Sequence, residues 1–138
     1  MTTEATCELC AQAGGELIHR AEKYRIVLVN DAQYPGFCRV IWNAHVKEMT
    51  DLPAADRSLF MDAVWQVEAA VRDVMRPDKI NLASLGNMTP HLHWHVIPRY
   101  ADDAHFPAPV WAPVQRESPA NERMALLPAL RDALRSSV

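Results

Sequence analysis

Between His91 and Ile97 the residues alternate strictly, His-Leu-His-Trp-His-Val-Ile, and that pattern admits few folds. Successive side chains on a β-strand point to opposite faces, whereas a helix would scatter these residues around its circumference. As a strand, the segment from His91 to Arg99 places His91, His93 and His95 on one face at intervals of about 6.6–7 Å. Leu92, Trp94 and Val96 then fill the other face, the core side. A sheet follows with one apolar surface to be covered and one surface carrying groups that titrate near neutrality.

The rest of the chain supplies the cover. From Thr50 to Pro77 the apolar period changes: Phe60, Ala63, Val64, Val67, Ala70, Val71, Val74 and Met75 recur at three- and four-residue spacings, the stripe of an amphipathic helix. Thr50 or Asp51 is the expected cap, with Pro53 near the first turn and Pro77 as the stop. Glu16–His19, Arg25–Asn30, Phe37–Trp42 and Lys79–Leu85 read as further strands, with Asp31–Gly36 and Gly86-Asn87 as turns. The order β-β-β-α-β-β gives an α+β fold, an antiparallel sheet with one main helix packed on it. Residues 1–138 form one domain on this reading. Beyond Tyr100 a proline- and aromatic-rich stretch (HFPAPVWAP) suits an extended arm, and Asn121–Leu134 a short terminal helix interrupted by Pro128.

Composition narrows the function classes. Half the residues are apolar and 22% charged, the profile of a soluble globular protein. A net charge of −3 argues against a nucleic-acid polymer or an anionic membrane as partner, since both want a basic face. No apolar run approaches the ~20 residues that span a bilayer. The opening residues lack the basic-then-apolar order of a signal peptide, so the expected location is the cytoplasm. Three cysteines, two of them as Cys7-x-x-Cys10, are too few for a disulfide framework and suggest metal or redox chemistry. Cys38, inside a strand, reads as a small buried residue.

Half of the six histidines falling at perfect alternation is hard to attribute to accident. Two chemical readings fit the triplet. Three imidazoles can chelate a catalytic zinc with one position left for water. Alternatively, a neutral imidazole with one nitrogen free and its other N–H held by an acceptor attacks phosphorus. The flanking histidines then donate to the non-bridging oxygens. Spacing alone does not separate the two.

His91-Leu-His93-Trp-His95-Val-Ile97 resembles the signature of the histidine triad (HIT) family at every position. The strand pair, the central helix, and Asn81, Gly86 and Asn87 before the histidines are similar to that family over about residues 7 to 100. His93–Arg99 (HWHVIPR) and Phe106–Trp111 (FPAPVW) resemble bacterial members described as diadenosine polyphosphate hydrolase-like. The resemblance implies a nucleotidyl hydrolase or transferase acting on dinucleoside polyphosphates or nucleoside phosphoramidates. His93 would be the nucleophile forming a nucleotidyl-phosphohistidine, with His95 and His91 on the phosphate. Asn30 or Asp31 would meet the ribose, unless the pair only opens its turn, and Asn87 the phosphate, unless it is only a turn residue. The hydroxyl that the family carries three residues before the first histidine is replaced by Met88. Thr89 is offset by one position, which on a strand would turn it to the opposite face. A nucleotide-binding or interaction module with little turnover therefore stands as an alternative, beside the three-histidine zinc hydrolase.

The resemblance also implies a structural Zn2+ on Cys7, Cys10, His45 and His91, a homodimer, and a nucleotide as the small-molecule partner. If His91 ligates a metal, His95 must carry more of the phosphate contact. His19 and His105 are expected to be solvated or loop residues, and Phe106 and Trp111 to pack or to meet a second copy.

Overall fold

A computed structural model describes residues 6–136; the first residues on which the absence of a signal peptide was argued lie outside that range. The chain runs through a short helix α1 (Glu8–Ala11), strands β1 (Glu16–Arg20), β2 (Tyr24–Leu28) and β3 (Cys38–Trp42), and the long helix α2 (Ala54–Met75). Strands β4 (Lys79–Ala83) and β5 (His93–Arg99) follow, then helices α3 (Ala120–Arg123) and α4 (Leu127–Ser136). The five strands form one antiparallel sheet in the order β1-β2-β3-β5-β4.

One face of the sheet carries the main core. Ile26 and Leu28 from β2, Cys38, Val40 and Trp42 from β3, and Val96 from β5 meet Phe60, Ala63, Val64, Val67 and Val71 of α2. The valine, leucine, isoleucine and phenylalanine side chains among these each stabilise the fold by roughly 1.5–3 kcal/mol when buried. The apolar stripe of α2 thus points where its period requires, with only Val74 left part-buried. Leu127, Leu130 and Leu134 of α4 complete the same core. Pro128 does not interrupt that helix, because it occupies the first turn, where a missing N–H costs nothing.

The helix start departs from the expectation. Pro53 forces Leu52 into an extended conformation (ψ 143°), so α2 cannot run through from Thr50 and begins at Ala54. Asp51 instead accepts the Glu48 N–H at 3.2 Å and closes a separate 3-10 turn, Met49–Asp51. No described helix is long and apolar enough to cross a membrane.

The other sheet face is not surface. α1 lies over β2 and β3, with Cys7 and Leu9 packed on Val27 and Ile41. The segment after Tyr100 covers the far end, with Val110 against Tyr34, Phe37 and Ile97. This segment is a series of tight turns rather than an extended arm. Asp103 draws it in: its carboxylate accepts the backbone N–H of Tyr100, His105 and Phe106 and pairs with Arg99 at 2.8 Å.

Candidate functional site

Register builds the site from the inward-facing residues of this second face. Arg39 on β3 pairs with His95 on β5 and Val27 on β2; Ile41 pairs with His93 and Arg25. His93 and His95 are 7% and 6% exposed and stack edge to face, their ring centroids 4.9 Å apart. His91 lies outside the strand, which starts at His93. The chain bends there, and the His91 N–H bonds to the carbonyl of Thr89 rather than joining the ladder. The three rings therefore do not stand in one row.

Freed from the strand, His91 turns toward the N-terminal segment. Its Nε2–H donates to the Trp42 carbonyl at 2.6 Å, which leaves Nδ1 with a lone pair. That Nδ1 lies 3.3 Å from the Cys7 sulfur and 3.5 Å from the Cys10 sulfur, and His45 Nδ1 is 3.4 Å from Cys10. One ligand atom from each of Cys7, Cys10, His45 and His91 falls within 4.8 Å of the others. A tetrahedral ion with legs of about 2.0–2.3 Å needs edges near ~3.5 Å between its ligands, so the set fits a divalent metal. Among the described residues His91, His93 and His95 form no such group, which disfavours the three-histidine zinc reading.

Arg25 organises this corner. It is 3% exposed, and its guanidinium donates to the carbonyls of Leu9, Gln12 and Ala13 and to Asn43 Oδ1. The carbonyls behind the CxxC helix are thereby held over β2.

His93 is held differently. Its Nδ1–H donates to the His91 carbonyl at 2.6 Å, so the lone pair sits on Nε2. Burial disfavours its imidazolium, as it does for His91 and His95, the last pushed down to about 3. Two clefts meet at this ring. One, of about 280 Å³, is lined by Glu8, Gln12, Gly14 and Gly15 together with Arg39, Thr89 and His93. The other, of about 250 Å³, holds Leu85–Thr89, His95 and Trp111 with the same Arg39 and His93. Trp111 is half exposed and sets its ring edge against His95, centroids 5.3 Å apart.

The expected contacts fall unevenly around these clefts. Asn87 lines the second cleft and Thr89 both. Thr89 was expected on the opposite face, but residues 84–92 form a loop where strand parity does not apply. Asn30 and Asp31 line neither cleft; Asp31 accepts the Gln33 N–H at 2.9 Å and opens the turn. Gly15 nonetheless runs against Leu28, a Cβ there falling 2.9 Å from the Leu28 carbonyl oxygen, so the first cleft ends two residues from Asn30. His105, expected to be a solvated or loop residue, lies in a loop but is buried there, with Nδ1 2.6 Å from the Tyr34 hydroxyl. Arg39 is the residue that the motif reading missed. A charge inside the apolar run Phe37–Trp42, in phase with the histidine face, was the available signal.

Comparison with known proteins places these features. The HIT domain description matches residues 11–102, which takes in the sheet, α2 and the histidine segment but begins just after Cys10. A protein named AP-4-A phosphorylase from Mycobacterium tuberculosis is 30% identical over 78 residues, 52% of this chain. The chain spans only 40% of that relative's length. Among solved structures, a histidine triad protein from Bradyrhizobium japonicum is 29% identical with a TM-score of 0.72, covering 86% of this chain and 91% of its own. One from Sinorhizobium meliloti shares the fold at TM-score 0.74 and 24% identity, covering 99% of this chain and 100% of its own. A Zn-bound family protein from Mycobacterium smegmatis shares it at TM-score 0.64 and 24% identity, with 97% and 96% covered. With two thirds of its length under the domain description and His93 and His95 on the fifth strand of the shared sheet, the chain belongs to the histidine triad family.

Proposed function

We propose that the protein is a nucleotidyl hydrolase or transferase that works through a covalent intermediate on His93. One observation carries this reading: the 2.6 Å bond from His93 Nδ1–H to the His91 carbonyl, which leaves Nε2 as a neutral nucleophile in the clefts. In the reaction the Nε2–phosphorus bond forms as the bond from the α-phosphorus to the leaving group breaks. Water, or another acceptor in the transferase case, then cleaves the phosphohistidine and releases the nucleoside phosphate. His95, Asn87 and Thr89 stand around the second cleft to donate to phosphoryl or leaving-group oxygens. Asn30 or Asp31, which line neither cleft, would take the ribose hydroxyls of a nucleotide extending beyond the first one. The name of the tuberculosis relative favours dinucleoside polyphosphates over phosphoramidates as the substrate class.

The metal corner has a structural role on this reading. Cys7, Cys10, His45 and His91 would hold Zn2+ with all four positions filled, so it would serve folding and not turnover. Its contribution is to orient His91, whose carbonyl orients His93. A cytoplasmic setting keeps both thiols reduced and available as ligands. A homodimer is part of the same proposal, supported by the outer edge of β4, which pairs on one side only, and by the exposed Trp65 on α2.

The test is a substrate panel. Diadenosine polyphosphates, nucleoside diphosphates and a nucleoside phosphoramidate are incubated with the protein, and nucleoside monophosphate is scored. Protein quenched in acid-free denaturant during turnover is expected to carry a nucleotidyl mass adduct at His93. Turnover with the adduct on another residue, or normal turnover by His93→Ala, would remove the mechanism.

A further inference from the structure

Three arginines lie on the inner strands β2, β3 and β5 on the histidine face, and two of them have four of their five N–H donors taken up. Arg25 spends its donors on three carbonyls and Asn43. Arg99 spends its own on Asp103, Asn81 and the Ala108 carbonyl. Arg39 does not. Its Nη1 donates to the Gly14 carbonyl at 2.9 Å, while its Nε is buried with no hydrogen-bond partner. Among the described residues no carboxylate forms an ion pair with it. A guanidinium offers five N–H donors in a rigid fork matched to phosphate. Leaving the Nε donor buried and unmatched is unfavourable unless something else takes it.

Position identifies what takes them. Arg39 is the cross-strand partner of His95 and lines both clefts that meet at His93. It is also the one lysine or arginine in either lining. The imidazoles around it supply hydrogen bonds, whereas a phosphoryl group gathering negative charge also needs a fixed cation.

We propose that Arg39 is a catalytic anion-holding residue, its free donors gripping the non-bridging oxygens of a phosphoryl group that carries a substituent on each side. The two clefts meeting at Arg39 and His93 give each substituent a place, so a phosphodiester or phosphoanhydride fits better than a terminal monoester. The identity of the anion rests on the phosphohistidine reading above; the presence of an anion site at Arg39 does not.

The experiment is calorimetric titration of the metal-loaded protein, as purified, with pyrophosphate, AMP and adenosine, for the wild type and for Arg39→Met and Arg39→Lys. The wild type is expected to bind pyrophosphate and AMP. Arg39→Met should weaken AMP by at least about tenfold while leaving adenosine affinity and metal content unchanged. Arg39→Lys, which keeps charge and loses the fork, should fall between. With a turnover substrate, Arg39→Met should lower kcat by about 100-fold, mostly independently of KM, as loss of one transition-state donor does. Unchanged AMP affinity in Arg39→Met overturns the proposal, as does a wild type that binds neither anion. Equal weakening of AMP and adenosine with a lowered Tm also overturns it, since that is the mark of a residue that only ties down Gly14. Arg39-dependent pyrophosphate binding without any adduct at His93 supports the anion site and removes the nucleotidyl mechanism instead.

Discussion

Two neighbouring regions of the histidine face are built on opposite principles. Around Cys7, Cys10, His45 and His91 the polar atoms face one another, and the adjacent Arg25 has four of its five guanidinium donors taken up. Around His93 and His95, a few ångströms further along the same chain, polar atoms are left open: Arg39 Nε and His95 Nδ1 are buried without partners. A satisfied cluster adds to stability and resists change. An unsatisfied one lowers stability and persists where a ligand completes it. The pair of arginines makes the contrast sharp, because Arg25 and Arg39 sit on adjacent strands of one face and differ mainly in how many donors the fold has taken up.

If the two regions are separable, substitutions in each should have distinct signatures. The largest effect is expected at His93. His93→Ala should lower kcat by at least about 1,000-fold, the scale seen when a nucleophile is removed from a catalytic constellation. Metal content and nucleotide affinity should remain. A His93→Ala protein that arrives without metal would merge the regions and revive the three-histidine alternative.

Next comes Cys7, 2% exposed beneath α1. Cys7→Ser should lose the metal and lower Tm by roughly 10 °C, because binding energy at a closed site is folding energy. Elemental analysis beside a thermal melt checks both at once, and full metal occupancy in Cys7→Ser would undo the assignment.

A smaller effect is expected from pH. Burial holds His93 and His95 neutral below the usual histidine value. Activity should therefore persist as pH falls through about 6.5 and decline only below it. Over the same window the unfolded chain takes up protons that the folded state refuses. Stability attributable to these two groups is thus intact above about 6.5 and is lost progressively toward the lower folded values. A pH–rate profile with its midpoint at or above 6.5 would argue that His93 is less enclosed than described.

The smallest effect concerns Asn30, which is exposed at the turn beyond the first cleft. Asn30→Ala should raise KM about fivefold, the worth of one hydrogen bond at about 1 kcal/mol, with kcat and metal unchanged. No change in KM would shift the ribose contact to Asp31 or elsewhere.

Much of the architecture was legible as pattern. The stripe of α2, the alternation of β5 and the turn after Asn30 are local periodicities, and each is satisfied by residues close in sequence. Errors arose where a single local constraint outranked the period. Pro53 delayed α2, the bend at His91 shortened β5, and the loop at 84–92 removed Thr89 from strand parity.

What the chain alone determined was the sheet with a covered apolar face, the histidine triplet as the candidate site, and a CxxC pair in need of further ligands. What only the tertiary structure decided was how each polar group is spent. The His91 Nε2–H goes to Trp42, 49 residues away, and that bond frees Nδ1 for the cysteines. Asp103 gathers Arg99 and three backbone amides, and so the expected extended arm becomes a packed cover. Arg25, Arg39 and Arg99 look alike in the sequence as charges within apolar strands, yet two are closed by partners and one is open. Periodicity follows from the geometry of a single segment, whereas hydrogen-bond satisfaction depends on which distant atoms the fold brings within reach.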